Sequence, residues 1–357
     1  MKREFTYTIG VMSGTSLDGI DLVYARFDKK DTAYFEIIEA ETIPYTKRWE
    51  SDLRNAIFYS KEKLDYLNLA YGGLLGAVIA DFICKKKIIY IDFIASHGHT
   101  ILHQPEKKKT LQIGDGQKIA NITQKKVICD FRTQDVQLGG QGAPLVPIGD
   151  ELLFFNYDYC MNLGGFANIS YKKEEKRVAF DICPVNIVLN HYTRRLGLAY
   201  DDKGMIARSG KINKKLLQQL NSLTYYKKEA PKSLGLEWVQ TNVFPMIDRL
   251  EENIPAILRT FLEHIGQQIG KIAHKNDTVL VTGGGVFNSF LIERIEFYSK
   301  ERVVIPQKKL INYKEALIFA FLGLLRLDNQ VNCLRSVTGA IKDHSSGVIF
   351  YPNRILS

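Results

Sequence analysis

The chain has 357 residues, 45% of them apolar and 24% charged, with a formal net charge of +9. That length accommodates two domains of ordinary size, and that composition excludes intrinsic disorder. Five scattered cysteines, Cys84, Cys129, Cys160, Cys183 and Cys333, form no CxxC pair, a reducing-compartment pattern that predicts neither a disulfide frame nor a zinc site. The N-terminal residues lead directly into a strand pattern without an apolar signal core. The longest apolar run, 316–325, is too short to span a bilayer and reads as a buried helix. No membrane segment is expected, and a cytoplasmic protein is. The positive charge suits an anionic ligand. It also reads as solvated lysine surface at 85–87, 107–109 and 172–173. No nucleic-acid motif accompanies it, so no nucleic-acid partner is expected.

In chain order, residues 7–28 read as a β-hairpin whose two apolar arms flank the turn Ser13, Gly14, Thr15, Ser16, Leu17, Asp18, Gly19. Glycine lets backbone N–H groups approach a phosphate, and hydroxyls add neutral donors. No lysine follows, so this is not a P-loop. A β pattern continues through 35–45, and a helical region covers 47–85. Residues 87–96 read as a buried strand ending at Ser96, and 126–131 as another ending near Asp130. Alternating strands and helices predict an α/β fold with parallel pairs and ligands at the carboxyl ends of strands. Residues 159–181 repeat the plan of strand, Gly-rich turn, strand, with Gly164, Gly165 and Asn168 in the second cradle. Duplicated domains facing one cleft follow as an expectation, divided softly near Pro147 into 1–147 and 148–357, with the last segment free to return to the first domain. A mostly helical stretch, 211–275, precedes a buried strand, Gly283, Gly284 and Gly285, and a helix start. A short strand at 302–306 and a helix over 314–327 end the pattern.

Several residues stand where chemistry is expected. Asp181 closes a predicted strand before a proline-containing turn, either projecting into the cleft as a general base or capping the next helix. Asp18 suits Mg²⁺ or an Asx turn. Gly283–Gly285 would set a helix N-terminus at an anion or lay bare backbone against a purine. His97, His99 and His103 are spaced like metal ligands but lack a carboxylate partner at a telling distance. Arg132 offers a planar fork for a carboxylate or phosphate, or an internal pair with Asp130 or Asp135. Glu315 opens the late helix, where the dipole alone would favour it.

The string GVMSGTSLDGID at 10–21 resembles the signature of the anhydro-N-acetylmuramic acid kinases. Further matches follow in that family's order: SHGHTILHQP (96–105), LQIGDG (111–116), DFRTQDVQLGGQGAPLVP (130–147), NLGGFANIS (162–170), FDICPVN (180–186), VTGGGVFN (281–288), EALIFAFL (315–322) and SVTGA (336–340). The resemblance implies the two-domain, duplicated ribonuclease H-like fold of the acetate and sugar kinase, heat-shock protein and actin superfamily. It implies ATP and Mg²⁺ as cofactors, a homodimer, and a sugar kinase of cell-wall recycling that opens a 1,6-anhydro ring and phosphorylates O6. By the same resemblance Asp181 is the base that activates water. Gly14–Asp21, including Ile20 and Asp21, together with Gly164, Gly165, Asn168 and Gly283–Gly285, hold the nucleotide. Asp18 serves the metal, and His97, Arg132, Asp135 and Glu315 contact the sugar. The family's usual Asp-Thr-Gly-Pro-Gly-Asn reads Asp181, Ile182, Cys183, Pro184, Val185, Asn186 here. That departure keeps open a kinase of another sugar or an inactive nucleotide-binding homologue. Cys183 reads as a small buried thiol in a glycine's place rather than a nucleophile.

Overall fold

A computed structural model describes residues 3–14, 17–272, 277–299 and 302–353. The chain divides into two compact units, Met1–Leu153 with Tyr313–Ser357, and Phe154–Asn312. The second unit thus begins six residues later than the 148 expected from sequence, and the segment from Tyr313 counts with the first.

The first unit is built on seven strands of its first half and one of its last segment. They are β1 (Phe5–Met12), β2 (Ile20–Asp28), β3 (Phe35–Ile43), β4 (Phe93–Ser96), β5 (His99–Gln104), β6 (Lys109–Ile113) and β7 (Val127–Cys129). The second unit holds β8 (Tyr159–Leu163), β9 (Phe166–Lys173), β10 (Lys176–Pro184), β11 (Thr278–Thr282) and β12 (Arg302–Val304). The segment returning to the first unit adds β13 (Val348–Phe350). The main sheet of unit 1 runs β13-β7-β4-β1-β2-β3, and that of unit 2 runs β10-β9-β8-β11-β12. In each, three consecutive strands form an antiparallel meander, a later strand joins its first strand in parallel, and a further strand joins that one in parallel. This 3-2-1-4-5 order, occurring twice, is the duplicated ribonuclease H-like plan expected from the sequence. Parallel joins need crossovers, and helices supply them.

The helix Lys61–Lys85 makes one such crossover in unit 1. Ser60 caps it by accepting from the Lys63 N–H, satisfying a donor that the first turn leaves open. By length and composition it is apolar enough to cross a membrane. Its stripe Leu67, Tyr71, Leu75, Ile79 and Phe82, spaced at three and four residues, is instead buried in the unit 1 core with Ile9, Val11, Leu22 and Ile94. The apolar run 316–325 is buried as expected, within the helix Lys308–Leu327. Buried Lys314 and Asp150 join at 2.6 Å, and at Gly149 a Cβ would fall 2.7 Å from Ile318, so this helix seats closely on Pro147–Leu153.

Two local expectations change. The strand predicted over 87–96 shrinks to β4, because the helix before it ends in a turn in which the Ile88 N–H returns to the Ile83 carbonyl, leaving Ile89 and Tyr90 exposed. The polar loop expected after Ser96 is the β5–β6 hairpin. In unit 2 the core gathers Met161, Leu163, Ile169, Val188, Phe261, Leu262, Ile265 and Val281 between the sheet and the helix Ile254–Ile269.

Strand β1 and the helix Lys308–Leu327 meet backbone to backbone at Gly10. A Cβ there would lie 2.0 Å from the Ala316 carbonyl oxygen and 2.9 Å from the Ala320 Cβ. Neither strand nor helix backbone yields readily, so Gly10→Val is expected to destabilise the protein by about 1–3 kcal/mol or more. Urea unfolding followed by circular dichroism checks this. A midpoint equal to wild type would mean that the contact does not exist in solution.

Candidate active site

In unit 1 the first Gly-rich turn links β1 to β2. Thr15 and Ser16 lie outside the described residues. Gly14 accepts from the Leu17 N–H at 3.3 Å, and Leu17 takes a left-handed φ of 62°. Below the turn, Ser13 is buried in a hydroxyl chain. Tyr71 donates to Ser13 Oγ at 2.8 Å, Tyr45 and Tyr71 share a 2.5 Å bond, and Ser13 also meets His99 Nδ1 at 3.2 Å. Burial holds His99 down near pKa 4, so the ring is neutral. Ile20 and Asp21 are strand residues of β2 rather than turn residues. Desolvation pushes the Asp21 carboxyl up, against the bond donated by Thr42 Oγ1 at 2.6 Å, and the charge of exposed Asp18 pushes it further. Asp18 in the turn and Asp21 at the start of β2 are thus two carboxylates within electrostatic reach. Oxygen donors of this kind fit Mg²⁺.

The other unit 1 residues converge on Arg132. Its Nε and one terminal nitrogen lie 3.0 and 2.9 Å from His97 Nε2, and its other terminal nitrogen donates to the Gly142 carbonyl at 2.5 Å. His97 Nδ1 lies 2.9 Å from the Gly98 carbonyl, which can only accept. The Nδ1–H tautomer therefore follows, and Nε2 presents its lone pair to Arg132. Burial and the Arg132 charge both hold His97 well below its usual range. Burial lowers Arg132 too, while Glu315, Cys333 and Asp135 support its charge. Neither internal pair considered from sequence forms: Asp130 caps the next helix through the Thr133 N–H, and Asp135 is engaged elsewhere.

Asp135 is completely buried, and its carboxylate accepts from the Gly142 N–H at 2.6 Å, Thr338 Oγ1 at 2.7 Å and Cys333 Sγ at 3.1 Å. It shapes the loop whose Gly142 carbonyl seats Arg132, and it has no exposed surface to offer a sugar. Glu315 lies roughly two turns inside its helix rather than opening it, so the helix dipole does not explain it. Its side chain keeps solvent-exposed surface, while the chain around it desolvates the carboxyl and raises it, opposed by Arg132.

In unit 2 the second hairpin brings its expected residues together around Asn162. Across the sheet, Asn162 pairs with Asn168, and Asn168 pairs with Asp181. Directly opposed residues share a face, so two carboxamides and a carboxylate stand in one row. Gly164 and Gly165 turn the chain, and their carbonyls accept from the N–H groups of Val185, Asn186 and Ile187, tying the helix Asn186–Thr193 to the hairpin. Asp181 is not a strand end. Strand β10 continues to Pro184, and a bulge falls between Asp181 and Cys183 on this edge strand. Bulges re-aim side chains and recur at sites. Leu234 N–H donates to Asp181 Oδ2 at 2.9 Å, and Tyr225 Oη donates to the Asp181 carbonyl at 2.6 Å. Desolvation raises the Asp181 carboxyl, with the Leu234 bond opposing. The departures Ile182, Cys183 and Val185 are buried in the unit 2 core, and burial pushes the Cys183 thiol up, which makes it inert.

Gly283, Gly284 and Gly285 follow β11. Gly283 takes φ 86°, and a Cβ there would fall 2.6 Å from Asn162 Oδ1 and 2.8 Å from the Leu163 carbonyl oxygen, so a side chain is excluded twice over. Gly284 opens on empty space and lines a cavity of about 400 Å³. Its other walls are Asn186, Leu189 and Asn190, residues 200–203, and Phe287 with Asn288. That volume lies in the range of small-molecule sites. Tyr200 and Phe287 offer exposed rings, and Asp201 holds its wall by accepting the Ile206 and Ala207 N–H groups. Sequence reading missed Asn162 and this wall. The Asp-Asp-Lys-Gly turn at 201–204 was the available signal.

His97, His99 and His103 form no shared cluster of possible metal ligands. Among the described residues the one such group is Asp135, Cys333 and His344.

The family model described as anhydro-N-acetylmuramic acid kinase matches residues 6–352. A protein of that description from Bacillus cereus (strain G9842) is 32% identical and covers 97% of this chain and 99% of its own. One from Clostridioides difficile (strain 630) is 33% identical, covering 94% and 95%. Among solved structures, the activator of the 2-hydroxyisocaproyl-CoA dehydratase from Clostridium difficile with bound ADPNP aligns at a TM-score of 0.46 and 12% identity, covering 90% of this chain and 97% of that one. With nearly its whole length matched, this chain belongs to the anhydro-N-acetylmuramic acid kinase family.

Proposed function

We propose that the protein uses ATP to convert 1,6-anhydro-N-acetylmuramic acid into N-acetylmuramate 6-phosphate and ADP, in the recycling of cell-wall sugar. The observation that carries the mechanism is Asp181, a desolvated carboxylate at a bulge beside the Gly164–Gly165 hairpin. A raised carboxyl is a stronger base than a solvated one. Asp181 takes a proton from water, and the water oxygen forms the new bond to the anomeric carbon. The bond from that carbon to the bridging oxygen breaks, and the oxygen stays on the sugar as O6. O6 then takes the γ-phosphoryl group, and the electron pair of the broken P–O bond leaves with ADP.

The residues divide by unit. Gly164, Gly165, Asn162 and Asn168 face phosphates, and the Gly284 cavity takes the adenosine. In unit 1, the segment Gly14 to Asp21 serves as a phosphate-binding turn of its own. Asp18 and Asp21 would hold Mg²⁺, which supplies charge neutralisation to the phosphates. Arg132, oriented by neutral His97 and the Gly142 carbonyl, presents a fixed fork to the lactyl carboxylate of the sugar. Glu315 accepts from a sugar hydroxyl, and Asp135 acts by shaping the Arg132 loop. We also read the protein as a cytoplasmic homodimer, which sedimentation equilibrium tests in its second part.

Incubation with ATP, Mg²⁺ and the anhydro sugar in ¹⁸O water is expected to yield a sugar phosphate carrying one water-derived ¹⁸O. Product without label would make the enzyme an ordinary hydroxyl kinase. Asp181→Asn is expected to lower kcat by about 10²–10⁴ while ATP still binds. Near-normal turnover would remove Asp181 from the mechanism. The base must be ionised, so kcat/KM should fall as pH drops through the raised Asp181 pKa, on a limb above the ordinary 3.8. An acid limb at or below 3.8 would contradict the assignment.

Gly284 offers a separate test of the nucleotide cavity. Apart from the adjoining chain, no atom lies within 4 Å of a Cβ built there, so Gly284→Val should leave the melting temperature unchanged. Its side chain would occupy nucleotide space, and calorimetry should show ATP binding weakened by roughly tenfold or more. Unchanged affinity would place adenosine elsewhere.

A further inference from the structure

Three buried side chains of unit 1 converge away from the reacting groups above: Asp135, Cys333 and His344. Their ligand atoms lie within 4.8 Å of one another. Cys333 Sγ is 3.1 Å from Asp135 Oδ1, and His344 Nε2 is 3.5 Å from the same oxygen. Ligands of one tetrahedral zinc ion lie about 3.3–3.6 Å apart, given Zn–S near 2.3 Å and Zn–N and Zn–O near 2.0 Å.

The histidine supplies the decisive detail. It is 5% exposed, and its Nε2 is buried with no hydrogen-bond partner. Its Nδ1 lies 3.1 Å from the Lys342 carbonyl, which can only accept, so Nδ1 carries a proton. In the neutral ring Nε2 then aims a lone pair at a carboxylate oxygen. Two such acceptors facing each other in a dry interior are held together by a cation, either a proton on Nε2 or a metal ion between the two. A backbone carbonyl on the far nitrogen is also how proteins orient metal-bound histidines.

The surroundings are arranged to match. Cys333 and His344 form an antiparallel bridge and exchange both N–H···O bonds at 3.1 Å, which sets their side chains as neighbours. Asp135 is steadied by the Gly142 N–H and Thr338 Oγ1. We propose that Asp135, Cys333 and His344 form a binding site for a borderline divalent cation, of which Zn²⁺ is the best fit. Thiolate, imidazole and carboxylate together favour zinc over Mg²⁺ or Ca²⁺. On binding, the Cys333 thiol loses its proton to solvent and Sγ gives an electron pair to the metal. Two anionic ligands neutralise the dication, so nearby Arg132 faces no net charge. The site clamps residues 333–344 onto the loop whose Gly142 carbonyl seats Arg132.

The test is metal content. Full-length protein, purified reduced, is dialysed with Zn²⁺, passed over a chelating resin and assayed by mass spectrometry for metal. Wild type is expected to retain about one zinc per chain, and Cys333→Ser and His344→Ala less than a tenth of that. Circular dichroism and ATP binding establish that the variants fold. Should they fail to fold, Co²⁺ titration of the wild type decides, with Cys84→Ser as the control for the exposed thiol. A thiolate-to-cobalt charge-transfer band that survives Cys84→Ser supports the site. A wild type without retained zinc, zinc retained by His344→Ala, or a cobalt band that is absent or vanishes with Cys84 overturns it. No readout uses turnover, so the kinase reading stands or falls separately.

Discussion

The missing side chain at Gly10 is a small feature on which unit 1 depends. It lets the backbone of the helix Lys308–Leu327 lie directly on β1, with the Ala316 carbonyl where a Cβ would stand. Through that contact a segment some 300 residues away in sequence joins the first sheet. Glu315, the residue before the contact, is thereby brought within electrostatic reach of Arg132 and Asp21. Lys314, the residue before that, is buried against Asp150. A close backbone approach thus becomes a placement of charges.

Desolvation then sets what those charges do. Asp181 and Asp21 are both raised chiefly by removal from water, and each is restrained by one fixed donor, the Leu234 N–H or the Thr42 hydroxyl. His97 and His99 are held neutral by the same effect with the opposite sign. Burial disfavours whichever form is charged, so it makes acids basic and histidines neutral. A neutral His97 can accept from Arg132 and hold its guanidinium still, which a charged ring could not.

Much of the architecture was legible locally. Both Gly-rich hairpins, the buried β11 and the buried run 316–325 follow from apolar patterning, turn residues and β-branched runs, which report short-range geometry. The departures arose where a tertiary contact overrides pattern. The run 87–92 looks like a strand, but a helix-ending turn closes at Ile88 and the strand begins only at Phe93. Asp181 looks like a strand terminus, yet β10 continues past it, because Ile182 and Cys183 are drawn into the core and the bulge absorbs the mismatch. Asp135 looks like a ligand-facing acid and is completely buried, because Gly142, Thr338 and Cys333 claim its oxygens.

The sequence by itself determined the family, the twofold hairpin plan and the residue types that chemistry would need, because those reside in contiguous motifs. Tertiary structure alone decided which of them stay open to a ligand. It put Asn162 at the centre of the second cradle, walled the Gly284 cavity with residues 200–203, and turned Asp135 inward to meet Cys333 and His344. The reason is physical. Hydrogen-bond partners, burial and the protonation that follows from them are properties of neighbours in space, and those neighbours lie some 200 to 300 residues apart along the chain.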